Sequence, residues 1–130
     1  MAKQRAELTK LEWVLMDALW DEKQATASDL QRKLEPTQNW AYSTVKTMLD
    51  RLLEMGYVKA RRVGNVFEYS PKVKRTTAVG KVVDDVIDRF FGGAVAPFIQ
   101  QLVERGTFDQ GELESLREVI EQRKRAGDEQ

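Results

Sequence analysis

Between Tyr42 and Asn65 the sequence gathers side chains that can grip a phosphodiester backbone. Tyr42, Ser43, Lys46 and Thr47 come first, then Lys59, Arg61, Arg62 and Asn65. Short hydroxyls donate to and accept from base edges and phosphates, and a lysine reaches a guanine edge or a phosphate. Across the second group, Lys59, Arg61, Arg62, Lys72 and Lys74 face one acid, Glu68. That excess of cations suits an anionic partner, with a solvated basic face as the bland alternative. Other chemistries have little material. The chain contains no cysteine and no histidine, which excludes disulfides, Cys/His zinc sites and catalysis by a histidine base or cysteine nucleophile. No acid, base and nucleophile assemble into a constellation, so neither an enzyme nor a cofactor is expected. Asp84, Asp85 and Asp88 read as a solvated helix face rather than a hard-cation site. The glycines of Gly92–Phe98 lack the lysine of a phosphate loop.

These residues need elements to hold them. Thr9 and Glu12 form a capping box that starts a first helix ending near Trp20. One stripe of that helix is Leu8, Leu11, Leu15, Ala18 and Leu19; a second is Trp13, Met16 and Trp20. Two apolar sides call for cover on two sides, and the tryptophans suit core packing better than a ligand cage. Thr26–Asp29 starts a second helix, which Pro36 is expected to stop after Glu35. A third helix covers Ala41 to Met55, turns Val45, Met48, Leu49 and Leu52 inward, and closes at Gly56. The period then changes to two. Tyr57–Val63 and Val66–Ser70 read as strands joined by a tight Gly64-Asn65 turn, with Pro71 ending the second. Arg61 and Arg62 therefore point to opposite faces. Three helices and a hairpin make a winged helix-turn-helix, in which the third helix enters the major groove and the hairpin reaches the flanking backbone.

The rest is helical by pattern, so the chain is mostly α with a small β-hairpin. Residues 1–74 form the winged domain and residues 75–130 a helical dimerisation region. A stripe runs from Val79 to Phe91, Gly92-Gly93 breaks it, and Val95–Val103 makes a shorter helix with Pro97 in its first turn. Asp109–Glu112 caps a last helix that buries Leu113, Leu116 and Ile120, and the charged tail from Arg123 frays. A region of about 55 residues in short helices buries too little to stand alone. Val82, Val86, Ile87, Phe90, Phe98, Ile99, Leu102, Leu116 and Ile120 therefore need a second copy. Charge follows the same division, with 13 Lys/Arg against 10 Asp/Glu up to Lys74 and 8 against 11 beyond it. No apolar run approaches the roughly 20 residues of a membrane span, and no signal peptide opens the chain, so a cytoplasmic protein is expected.

"LTKLEWVLMDALW" (Leu8–Trp20), "AYSTVKTMLDRLLEMGYV" (Ala41–Val58) and "RFFGG" (Arg89–Gly93) resemble the penicillinase-repressor family of the BlaI/MecI type. The resemblance implies a homodimeric repressor on palindromic double-stranded operator DNA, often in front of β-lactamase or resistance genes. It further implies release by proteolysis in the dimerisation region, started by a membrane-bound sensor protease. Counting nine positions from Gly92-Gly93 places that cut at Gln101-Leu102, with Gln101 where the family commonly has asparagine. A copper-sensing branch uses a cysteine-rich tail; this chain has no cysteine, so that mechanism does not carry over. Two readings stay open beside this one: a winged module that binds only protein, and a small-molecule-responsive regulator with its pocket between the helices of the second half.

Overall fold

The computed structural model describes residues 7–106 and 108–128. The element order is α1 (Lys10–Glu22), β1 (Ala25–Thr26), α2 (Ala27–Gln38), α3 (Tyr42–Met55), β2 (Val58–Val63), β3 (Val66–Pro71), α4 (Arg75–Phe91), α5 (Val95–Glu104) and α6 (Gln110–Asp128). This is the expected winged helix-turn-helix followed by helices. The chain divides into two compact units, the first ending at Val82 and the second running on from Val83, so α4 belongs to both.

Local chemistry sets the helix starts. The Thr9 N–H donates to Glu12 Oε1 at 2.9 Å and the Glu12 N–H donates back to Thr9 Oγ1 at 3.1 Å. Thr26 and Asp29 repeat the arrangement at the head of α2, at 3.1 Å both ways. Each box satisfies two orphan N–H groups within the chain. Asp109 Oδ1 accepts from the Glu112 N–H at 2.8 Å and caps α6 as expected.

Several boundaries differ from expectation. Helix α1 runs on to Glu22. Pro36 does not stop α2, which continues to Gln38. In a last turn the ring removes a single backbone bond. Termination waits for Asn39, which takes the left-handed conformation (φ 52°, ψ 43°) and donates its N–H to the Glu35 carbonyl. The two-residue β1 was not expected, and nothing local announces it. It pairs antiparallel with β3, Ala25 opposite Tyr69 and Thr26 opposite Glu68, giving the sheet order β1-β3-β2. The tail does not fray at Arg123, since α6 extends to Asp128. The last two tail residues lie outside the described residues.

The core of the first unit sits between α1, α2, α3 and the sheet. Leu15, Leu19, Leu30, Val45, Leu49, Leu52, Val58 and Tyr69 are all buried there. Leu11, expected in the α1 stripe, is 48% exposed; its neighbour Glu12 is buried instead at 1%. The capping box explains the exchange, because it turns the Glu12 carboxylate back onto the helix end. Trp13 and Trp20 pack on this core as a tilted pair 5.7 Å apart, and Trp20 Nε1 donates to the Val73 carbonyl at 2.9 Å. They are packing residues, not a cage. Asp17 and Arg75 pair at 2.8 Å, joining α1 to the first turn of α4, where Ala78 is buried.

In the second unit Phe91 and Phe98 meet at 5.6 Å across the Gly92-Gly93 break. Both glycines take positive φ (59° and 85°), a pairing that side chains resist. Leu113 and Ile120, expected to be buried, are exposed within the chain, and Leu116 is half-buried. No described helix is long and apolar enough to cross a membrane.

Candidate nucleic-acid interface

Helix α3 buries Val45, Met48, Leu49 and Leu52, as its period requires. The opposite face therefore presents Tyr42, Ser43, Thr47 and Asp50 to solvent, with Lys46 half-buried beside them. Unlike α1 and α2, α3 begins at Ala41 with no side-chain cap. Its first N–H groups are left for an outside acceptor, and a helix N-terminus favours an anion there.

Lys46 is held from two sides. Its Nζ lies 3.0 Å from Asp50 Oδ1, one turn on, and 5.9 Å from the centre of the Tyr69 ring. The hydrogen bond to Asp50, and after it the contact with Tyr69, hold the Lys46 ammonium above the ordinary lysine range. Its positive charge is secure at any physiological pH.

The hairpin register sorts the wing. Lys59 faces Ser70, Arg61 faces Glu68 and Val63 faces Val66; on the alternate face Arg62 meets Phe67 and Ala60 meets Tyr69. Gly64 takes φ 63°, and Asn65 beside it does not need a positive value. A two-residue turn with glycine first fits the strand twist. Arg61 Nη2 is bound by Glu68 Oε1 at 2.6 Å. Arg62 Nε donates at 3.2 Å to the Gly64 carbonyl, a neutral acceptor. The two arginines thus occupy opposite faces, as the alternation implies.

A small cavity of about 100 Å³ lies where the starts of α2 and α3 meet the wing; Ser28, Tyr42, Lys46, Asn65, Phe67 and Tyr69 are among its lining residues. Of the expected residues it brings together Tyr42, Lys46 and Asn65. Ser43 and Thr47 stay on the exposed face of α3, Arg62 on the Phe67 face of the wing, and Lys59 and Arg61 on its other face. Several contributors were missed, among them Tyr69, Phe67 and Ser28. Phe67 is 48% exposed on the Arg62 face, and the two-residue turn already placed it opposite Arg62 in the sequence. Ser28 arrives only through the pairing of β1 with β3, a long-range contact without a local signal. A larger open groove of about 760 Å³ lies elsewhere on the first unit, lined by Val14, Ala18, Trp20 and Leu34 with Asp17, Asp21, Lys33 and Arg75 among its polar neighbours.

The residues expected to dimerise are all uncovered or half-covered. Val82, Phe90 and Ile120 are exposed, and Val86, Ile87, Phe98, Ile99, Leu102 and Leu116 are half-buried. Gln101 is exposed and Leu102 half-buried inside α5, where the Gln101 carbonyl accepts from the Arg105 N–H at 3.1 Å. Asp85 pairs with Arg89 at 3.1 Å, and Asp84 and Asp88 face solvent.

The penicillinase repressor family matches residues 8–122. The methicillin resistance regulatory protein MecI of Staphylococcus aureus (strain N315) is 24% identical, over 88% of this chain and 93% of its own. The penicillinase repressor of Bacillus licheniformis is 22% identical, over 94% and 95%. Among solved structures, the DNA-binding domain of the repressor BlaI aligns with TM-score 0.52 and 26% identity, over 59% of this chain and 93% of that domain. The chain belongs to the penicillinase repressor family.

Proposed function

We propose that this member of the penicillinase repressor family is a homodimeric transcriptional repressor that binds palindromic operator DNA. The observation that carries the reading is the joint placement of the uncapped start of α3, Lys46 and the wing around one cleft. The fold that holds them aligns with a DNA-binding domain. Tyr42, Ser43, Lys46 and Thr47 meet base edges and phosphates in the major groove, and Lys59, Arg61, Arg62 and Asn65 clamp the flanking backbone. Residues 1–74 supply this head. Residues 75–130 supply the dimer, through Val82, Val86, Ile87, Phe90, Phe98, Ile99, Leu102, Leu116 and Ile120, whose incomplete burial supports a second copy as their cover. Two-fold symmetry then sets two half-sites. The protein works in the cytoplasm without a cofactor and without catalysis of its own.

Release follows from cutting Gln101-Leu102 through a pathway that a membrane-bound sensor protease begins. The bond lies inside α5, so that helix opens locally before cleavage. Cutting the link between two heads forfeits their effective concentration. Replacing Leu102 by Asp, with the dimer verified, should leave cells repressed under the signal that releases wild type; unchanged induction would sink this route. The DNA reading is tested by incubating the full chain with fragments of its own genome at about 0.15 M salt and sequencing what is retained. One or a few two-fold symmetric sites are expected. Recovery no better than random background would overturn the reading.

A further inference from the structure

The chain has 21 Lys+Arg and 21 Asp+Glu, hence no net charge. Double-stranded DNA binds nonspecifically almost wholly through cations that displace its counterions. A neutral chain that binds DNA must therefore arrange its charge locally. Two of its interface cations are already occupied. Lys46 Nζ is 3.0 Å from Asp50 and Arg61 Nη2 is 2.6 Å from Glu68. Each pair is open to solvent on one side at least: the Lys46 and Asp50 side chains are 37% and 58% accessible, and the Arg61 and Glu68 side chains 71% and 23%. Pairs of that kind contribute little to stability, so holding the fold together does not account for them. Arg62, on the other face of the wing, donates to the Gly64 carbonyl, a neutral acceptor, and among the described residues pairs with no carboxylate.

Resting on the DNA-binding reading above, we infer that Asp50 and Glu68 are intramolecular stand-ins for phosphate that weaken the grip on all DNA, so that only a site offering base contacts is held. A carboxylate oxygen offers a cation the acceptor that a phosphate oxygen offers. While Asp50 holds Lys46 and Glu68 holds Arg61, neither cation counts toward counterion release. On a random sequence each must leave a carboxylate to gain a phosphate, and the abandoned acid then faces the backbone. At the operator the exchange is compensated by base contacts made along α3, which random DNA does not supply. The Tyr69 ring keeps Lys46 near the start of α3 through the exchange. Asp50 and Glu68 are thus positioning residues that act through Lys46 and Arg61.

The test uses the full chain and its Asp50→Asn and Glu68→Gln variants, each nearly isosteric and one charge poorer. Affinity is measured by fluorescence anisotropy for an operator duplex recovered from the genome and for a scrambled duplex of equal length, across a salt series. Each variant should bind the scrambled duplex about tenfold tighter at low salt and steepen its log affinity against log salt by about 0.9. Operator affinity should rise by a similar factor, because the same pair opens there, so the specificity ratio holds. Asp50→Glu and Glu68→Asp keep the charge and should restore the wild-type slope, which a merely structural role would not require. Unchanged slopes, or tightening on neither duplex, would overturn the inference and leave the DNA reading standing. A wild-type chain that enriches no operator would overturn both.

Discussion

Helices α3 and α4 carry the same kind of signal, apolar residues at helical spacing, and meet different fates. In α3 the stripe is sealed, with Leu49 and Leu52 fully buried. In α4 Phe90 is 68% exposed, and α5 and α6 bury none of their described residues. Periodicity states that a face must be covered but not which chain covers it. The first unit closes its core with its own sheet and helices. The second, with the end of α4 and two further helices, has too little interior to do so. One unit should therefore keep its stability on dilution, while the other is tied to protein concentration.

Leu49→Ala strikes the sealed side. It removes a fully buried side chain and should cost about 2–5 kcal/mol in urea unfolding of the winged unit, at any protein concentration. A cost near zero would mean that this core is not closed. Phe90→Asp strikes the open side. It should raise the dimer dissociation constant by at least about 30-fold in sedimentation, the scale of a central interface residue, and leave the urea midpoint of the winged unit unchanged. An unaffected dimer would break the comparison, because the exposed stripe would then serve something else.

The parts legible in sequence were those with local causes. The Thr9–Glu12 capping box, the helix start at Thr26, the inward face of α3, the Gly64-Asn65 turn and the Gly92-Gly93 break each depend on residues within a few positions. The misreadings had distant or competing causes. Strand β1 exists because β3 comes back to it from more than forty residues away. Pro36 stays helical because one lost bond in a last turn is cheaper than ending before Asn39 can close the helix. Leu11 and Glu12 exchanged places because a cap outweighed the stripe. At the interface, the residue types were readable from composition, but the pairings Lys46–Asp50 and Arg61–Glu68 decide which cations are free. Those depend on side-chain direction and on hairpin register.

The wing offers a finer comparison between its two faces. Arg62→Ala should lower the salt slope of DNA binding by about 0.9, the loss of one phosphate contact, and weaken all sequences alike. Arg61→Ala should lower it by less, because Glu68 already neutralises Arg61 in the free chain. Equal slopes for the two variants would show that the Glu68 pair does not persist in solution.

The smallest expected effect concerns the helix starts, two closed by carboxylate boxes and α3 left open. The Asp29 carboxyl is held below its ordinary value of 3.8, chiefly because it accepts from the Thr26 backbone N–H, with Arg32 adding a lesser share. A depressed carboxylate contributes stability that is present above the unfolded value and lost as pH falls through the folded one. The Asp29 side chain is 45% exposed, so solvent screening keeps the contribution under about 1 kcal/mol. Asp29→Asn should therefore lower the urea midpoint slightly at pH 7, and the gap to wild type should close as pH drops below the ordinary Asp range. A gap that stays constant with pH would assign the cap to geometry alone. DNA affinity at neutral pH should be the same in both proteins, since α2 only supports the cleft while the uncapped α3 meets the DNA.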